Sequence, residues 1–197
     1  STPSPAKQTG RARVMQVQCT LLSGDRLHLQ HGPIDLIIGA DGARARAFEA
    51  AELRLSTVLA ELMNEIDLLQ RHDGPSPKGA IARKMWCAAQ AYQGFVTPMA
   101  AVAGSVAETV LQAMCSATDL HRAYVNNGGD IALHLSHDST FDIAMSGLGG
   151  ADLGKITLSS ENQVRGIATS GQCGRSLSFG IAESVTVLAK TASMADV

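Results

Sequence analysis

The stretch Ala123-Tyr-Val-Asn-Asn-Gly-Gly-Asp-Ile-Ala-Leu133 carries two apolar runs on either side of an Asn-Asn-Gly-Gly-Asp segment. Glycine accepts the positive φ angles that tight turns need, and asparagine and aspartate favour the same turns. The stretch therefore predicts a β-hairpin. Its turn is either a plain strand reversal or a loop that offers backbone N–H groups and two amides to an anion.

Further short apolar runs lie near both ends of the chain. They cover residues 14–22, 27–29, 34–38, 140–145, 155–158, 164–168 and 184–188, with turn residues between most of them. Short strands separated by turns pair mainly antiparallel. We therefore predict an α+β protein with a mainly antiparallel sheet, or sheets, covered by helices on one face.

Helical periodicity fills the middle of the chain. Spacings of 7, 4, 3, 4 and 3 predict one long helix over 44–69, with its apolar stripe formed by Phe48, Leu55, Leu59, Leu62, Ile66 and Leu69. Two more helices are expected at 81–92 and 98–114, the second capped by the Thr97 hydroxyl before Pro98. Ala103 and Gly104 give that helix a surface that a backbone or a flat ligand can approach closely.

The segment 73–79 contains two prolines and two glycines and is the best candidate for a linker. We expect residues 1–197 to form a single domain, or two intertwined α+β halves joined near 73–79. The helix over 44–69 is a candidate surface for a homodimer.

Composition excludes several classes of function. With 16 basic and 18 acidic residues the net charge is -2, so no nucleic-acid partner is expected. Glu108 ends the longest apolar run well short of a membrane span, and the N-terminus lacks the apolar core of a signal peptide, so we expect a cytoplasmic protein without membrane contact. Cys19, Cys87 and Cys115 are expected to be small core residues.

A second polar loop follows the predicted strand over 164–168. It contains Thr169, Ser170, Gly171, Cys173 and Arg175. Hydroxyls, glycines and a guanidinium suit a phosphate, and Arg175 could bind it bidentately. Cys173 is either an activated nucleophile beside that arginine or an unreactive loop thiol.

The histidines do not have the spacing of a zinc site. His134 and His137 are better explained as a strand edge and a turn. The pair His137-Asp138 could alternatively supply a base and a carboxylate to a site near the Asn126–Asp130 turn.

Taken in order, several motifs resemble those of the ApbE superfamily, most closely a cytoplasmic ApbE-related branch. They are Thr97-Pro-Met-Ala-Ala-Val-Ala-Gly104, Val125-Asn-Asn-Gly-Gly-Asp-Ile131, Ala168-Thr-Ser-Gly171, Ser184-Val-Thr-Val187 and Ala195-Asp196. The match covers roughly residues 95–197 well and the first half loosely. ApbE proteins are magnesium-dependent transferases that attach FMN from FAD to a threonine of a flavoprotein.

The resemblance implies a T-fold-like α+β architecture, FAD or FMN as ligand, Mg²⁺ as cofactor and a protein acceptor. By resemblance, Asp196 is the metal ligand, and the nucleotide-binding residues are Asn127, Gly128, Gly129, Asp130, Thr169, Ser170 and Gly171. From the loop composition, Asn126 and Arg175 join this set, and Cys173 is the candidate catalytic residue.

The chain departs from the family pattern at two points. Ala103 stands where ApbE enzymes have a lysine, and the stretch from Gln172 to Glu183 has no counterpart of the family's histidine segment. Three hypotheses therefore stay open: a phosphate- or flavin-binding protein with transferase activity, a noncatalytic binding or assembly module, and an enzyme that depends on Cys173.

Overall fold

A computed structural model describes residues 16–146, 152–170 and 185–197. The strands in these ranges are β1 (Gln18–Leu22), β2 (Arg26–His31), β3 (Ile34–Gly42), β4 (Leu120–Asn127), β5 (Asp130–Leu135), β6 (Thr140–Ser146), β7 (Asp152–Ser159), β8 (Gly166–Ser170) and β9 (Val185–Ala189). The helices are α1 (Arg44–Asn64), α2 (Ile66–Leu69), α3 (Ala80–Ala91), α4 (Val102–Ala117) and α5 (Ala192–Asp196).

The described strands form a sheet in the order β1-β2-β3-β4-β5-β8-β9 and a separate β6-β7 hairpin. Every pairing in these two sheets is antiparallel. The predicted α+β class with mainly antiparallel sheets is therefore confirmed.

Helices pack on one face of the large sheet. In α1 the buried positions are Ala47, Phe48, Ala51, Leu55, Val58 and Leu62, which recur every three or four residues. They form one core with strand residues such as Leu29, Leu36 and Ile38, each fully buried. Burying a leucine or isoleucine in this way stabilises a fold by about 1.5 to 3 kcal/mol.

The β6-β7 hairpin covers part of the opposite face. Leu133 and Ile167 of the sheet pack with Leu158 of the hairpin, whereas Ala132, the neighbour of Leu133, faces the helices. Because side chains alternate across a strand, β5 contributes to both layers.

The long helix predicted over 44–69 is interrupted. α1 ends at Asn64, and Glu65 leaves the helical region with φ -124° and ψ 18°. Its carboxylate accepts hydrogen bonds from the backbone N–H groups of Lys78 and Gly79, at 2.7 and 2.6 Å. Glu65 thereby satisfies two N–H groups at the start of α3, a tertiary role that periodicity cannot reveal.

The helix expected from Pro98 begins instead with a 3₁₀ turn over Pro98–Ala101 and continues as α4 to Ala117. The Thr97 hydroxyl makes no capping hydrogen bond; the Thr97 carbonyl accepts from the Ala100 N–H at 3.0 Å. The expected hydroxyl cap is therefore wrong, although Pro98 does occupy the first turn.

Among the described residues, Pro98–Ala117 is long and apolar enough to cross a membrane by length and composition alone. About half of it is buried inside the protein. Val106, Val110 and Met114 of this stretch are almost fully buried in the core that includes α1 and the sheet. The core helix of a globular domain meets the same criteria.

The cysteine prediction fails at two positions. Cys19 on the edge strand β1 and Cys87 on α3 are exposed, and Cys115 is half-buried. Apolar neighbours in sequence do not determine which face of a strand or helix a residue occupies. Cys173 lies outside the described residues.

Candidate functional site

The hairpin turn between β4 and β5 adopts the backbone that its composition predicts. Gly128 and Gly129 have φ angles of 67° and 114°, which L-residues with side chains rarely adopt. The Asn126 side-chain oxygen accepts a hydrogen bond from the Gly129 N–H at 2.9 Å, and Asn127 pairs with Asp130 across the turn. Asn126 therefore holds the turn in shape, as asparagine does in many turns.

The second polar loop begins beside this turn. β8 pairs with β5 through Ile131 and Ile167, and the end of β8 lies at the edge of the sheet where the β4-β5 turn lies. A Cβ placed on Gly129 would lie 3.2 Å from the Thr169 carbonyl oxygen. Thr169, where the second loop begins, therefore lies beside the glycine turn.

Asp196 reaches the same region from α5. One of its carboxylate oxygens accepts a hydrogen bond from the Gly104 N–H at 2.8 Å, and the Ala103 N–H also donates to this carboxylate. Asn127 donates from its side-chain nitrogen to the Ala103 carbonyl at 3.1 Å. The first turn of α4 thus links β4 to α5.

Glycine is required where α5 packs. A Cβ on Gly104 would lie 2.3 Å from the Ala192 carbonyl oxygen, and a Cβ on Gly166 would lie 2.1 Å from the Thr191 carbonyl carbon. The small side chains at Ala103 and Gly104 therefore make room for the backbone of α5. Of the two alternatives from the sequence, a neighbouring backbone or a flat ligand, the structure shows the backbone.

Two carboxyl groups of the site have raised pKa values. Burial and the nearby Asp196 carboxylate raise the pKa of Asp130 to about 7. Burial raises the pKa of Asp196 to about 6, although the hydrogen bonds from Gly104 and Ala103 oppose that shift. Two adjacent carboxylates in a partly buried site repel each other unless a proton or a cation lies between them.

The donor set fits a hard divalent cation better than zinc. Within the described ranges, there is no cluster of three or more His, Cys, Asp or Glu residues that could hold a metal. Magnesium needs fewer protein ligands, since it commonly binds one or two carboxylates and completes its octahedron with water and ligand phosphates. Asp130 and Asp196 are the residues that would hold it.

The remaining predicted site residues divide into two groups. Thr169 and Ser170 are exposed at the end of β8, and the Thr169 hydroxyl lies 3.2 Å from that of Thr186 on β9. Gly171, Cys173 and Arg175 lie outside the described residues.

The alternative role for His137-Asp138 is wrong. The His137 Nδ1 atom lies 3.0 Å from a carboxylate oxygen of Asp138, and the two side chains are 94% and 90% exposed. They follow the carboxyl end of β5, whereas the Asn126–Asp130 turn lies at its start. A whole strand therefore separates them from the candidate site.

Sequence reasoning missed the backbone partners of Asp196, the N–H groups of Ala103 and Gly104. The available signal was the pair of small residues at the start of α4. It indicates close approach but does not identify the approaching element.

The described fold is an α+β fold with mainly antiparallel sheets. A family model described as "AbpE bacteria" matches residues 19–197, and the chain belongs to this ApbE-related family. The comparison supports the family without distinguishing a branch of it.

Relatives in archaea carry the name UPF0280 protein. The one from Methanococcus vannielii is 43% identical over 108 residues, 51% of this chain and 42% of the relative. That from Archaeoglobus fulgidus is 36% identical over 118 residues, 60% of this chain and 47% of the relative. The chain spans about half the length of the curated relatives it matches.

Proposed function

We propose that this chain binds a phosphate-bearing small molecule, a flavin nucleotide such as FAD or FMN, where the β4-β5 turn meets the end of β8. Asp130 and Asp196 are the residues that would hold Mg²⁺, which would neutralise part of the charge of the ligand phosphate. The observation that carries the proposal is geometric: Asp196 accepts from the Gly104 N–H, and Asn127 of the glycine turn, three residues before the partly buried Asp130, donates to the neighbouring Ala103 carbonyl. Family membership supports the choice of ligand.

The chain's own groups suit such a ligand. The glycines of the turn leave space for a phosphate to approach the backbone, and Thr169 and Ser170 present hydroxyls beside it. We propose that Arg175 and Gly171 also belong to the phosphate-binding set. A cation at the carboxylates would relieve their repulsion and neutralise part of the phosphate charge.

The proposal is tested by titrating the protein with FAD, FMN and ADP, with and without Mg²⁺, while the thermal midpoint is measured. We expect stabilisation by at least one flavin nucleotide that is larger with Mg²⁺. Asp196→Asn should remove the Mg²⁺-dependent part, and Asp73→Asn, at an exposed position, should retain it. No shift with any nucleotide at millimolar concentration contradicts the proposal.

Binding without group transfer is the second candidate, and Ala103 favours it. The backbone of Ala103 contacts Asp196 and Asn127, but its methyl group cannot provide the cation that ApbE enzymes have at this place. Release of AMP from FAD with Mg²⁺ distinguishes the alternatives, because transfer of the FMN phosphoryl group breaks the pyrophosphate bond. The variants Cys173→Ser and Arg175→Ala test whether either residue contributes to this reaction. The protein acceptor and the homodimer remain predictions.

A further inference from the structure

A second cavity, of about 330 Å³, lies on the helix side of the sheet. It is bordered by the later turns of α4, the middle of β5 and the segments before β8 and α5. Its charged lining residues are Lys84, Glu108, Arg165 and Lys190. None of its lining residues belongs to the set proposed for the flavin nucleotide.

The carboxylate in this cavity is already fully engaged. One oxygen of Glu108 accepts from both the N–H and the hydroxyl of Ser193, each at 2.7 Å. The other lies 3.0 Å from the Lys84 ammonium. Glu108 can therefore compensate about one of the three positive charges.

The other two cations are not compensated by the described part of the chain. Arg165 donates to the backbone carbonyls of Ser160, Asn162 and Val164 at 3.0, 2.6 and 2.7 Å, which fix the guanidinium without cancelling its charge. The ion pairs among the described residues include neither Arg165 nor Lys190. The described lining of the cavity thus carries an excess of two positive charges.

We propose that this cavity binds a small dianion, inorganic phosphate or the phosphate group of a monoester. Lys84, Arg165 and Lys190 surround the anion, and Gln112 and Thr191 at the wall supply neutral polar groups. A concave surface with like charges on its walls concentrates ions of opposite charge. Guanidinium and ammonium groups also form strong charge-assisted hydrogen bonds with phosphate oxygens.

The test is a calorimetric titration of the whole chain with inorganic phosphate, without Mg²⁺ or nucleotide. Amide chemical shifts recorded during the titration locate the anion. We expect shifts at Gln112, Lys190 and Thr191, and smaller ones at Gly128 and Gly129. Lys190→Gln should weaken phosphate binding by about tenfold.

Lys155→Gln is the matched control, because it removes the same charge at an exposed residue of β7 that pairs with Asp142 at 3.1 Å. It should change phosphate affinity less than about twofold. Equal losses in the two variants, shifts confined to the glycine turn, or no binding at millimolar phosphate would each overturn the proposal. Because Asp196→Asn should leave phosphate binding here unchanged, failure of this site and failure of the flavin site can be distinguished.

Discussion

Two charged regions of the molecule differ in how their charges are compensated. On the face of the sheet opposite the helices, a cavity of about 400 Å³ is lined by three arginines and three aspartates. Arg122 donates to Asp41 at 2.8 and 2.5 Å, and Arg44 lies 2.9 Å from Asp25. At the start of β5, by contrast, burial and the Asp196 carboxylate raise the pKa of Asp130, and the partners of Asp196 among the described residues are the N–H groups of Gly104 and Ala103.

The contrast separates a structural region from a candidate binding site. Where arginines such as Arg44 and Arg122 already have carboxylate partners, an added ion gains little, because it must displace an existing contact. Where like charges are held together, the fold itself loses free energy, and an added cation restores it.

The largest effect is expected from Gly166→Ala, which breaks the carboxylate site through packing. The added Cβ would lie 2.1 Å from the Thr191 carbonyl carbon, so α5 must move and carry Asp196 away from Gly104. We expect a loss of about 3 kcal/mol in the free energy of unfolding and loss of the Mg²⁺ effect. Urea denaturation measures the first quantity.

Gly74→Ala is the control for this packing argument. No atom lies within 4 Å of a Cβ at position 74, so this variant should stay within about 0.5 kcal/mol of the parent. An equally mild effect of Gly166→Ala would show that α5 does not pack as closely as the structure indicates.

Close packing between elements that are distant in sequence, such as Gly166 and α5, could not be predicted from the sequence. Periodicity found the hairpins and the helices because those patterns are local. It did not find the end of α1 at Glu65, since that residue bonds to N–H groups 13 and 14 positions further along. Nor could alternation show that β6 and β7 form a separate hairpin, because alternation predicts a strand without its neighbour.

The site divides in the same way. The Asn126–Asp130 turn was recognisable because asparagine and glycine have strong turn preferences, and Asp196 came from the family resemblance. Its contact with Gly104, 92 positions away in sequence, depends on the tertiary fold. The raised pKa values of the two carboxyl groups follow from burial, which a sequence pattern does not measure.

The next effect is a gain in stability from Asp130→Asn. The pKa of Asp130 is about 7 in the fold and 3.8 ordinarily, so its contribution is fully present below about pH 4 and is lost as pH rises through 7. At pH 8 the variant should be about 1 to 2 kcal/mol more stable than the parent, a figure reduced for partial exposure. At pH 4 the two should agree.

Asp41→Asn provides the contrasting measurement in the compensated region. This substitution leaves Arg122 without its carboxylate and should destabilise the protein at pH 8, the opposite sign from Asp130→Asn. Urea denaturation at pH 4 and pH 8 on the three proteins measures both effects. A loss of stability in both variants at pH 8 would mean that the charge of Asp130 is compensated as well.

The smallest effect is the coupling between Arg122 and Asp41. Their side chains are 42% and 44% exposed, and the Arg122 guanidinium also lies 5.4 Å from the centre of the Phe141 ring. Solvent weakens such a pair, so a double-mutant cycle with Arg122→Ala and Asp41→Asn should give about 1 kcal/mol. The coupling should shrink in 1 M salt, where the screening length is about 3 Å.

Raising the salt concentration should, for the same reason, weaken the repulsion between Asp130 and Asp196. Salt therefore acts with opposite sign on the two regions, and coupling that resists salt would show that the arginine–aspartate region is held by packing rather than by charge.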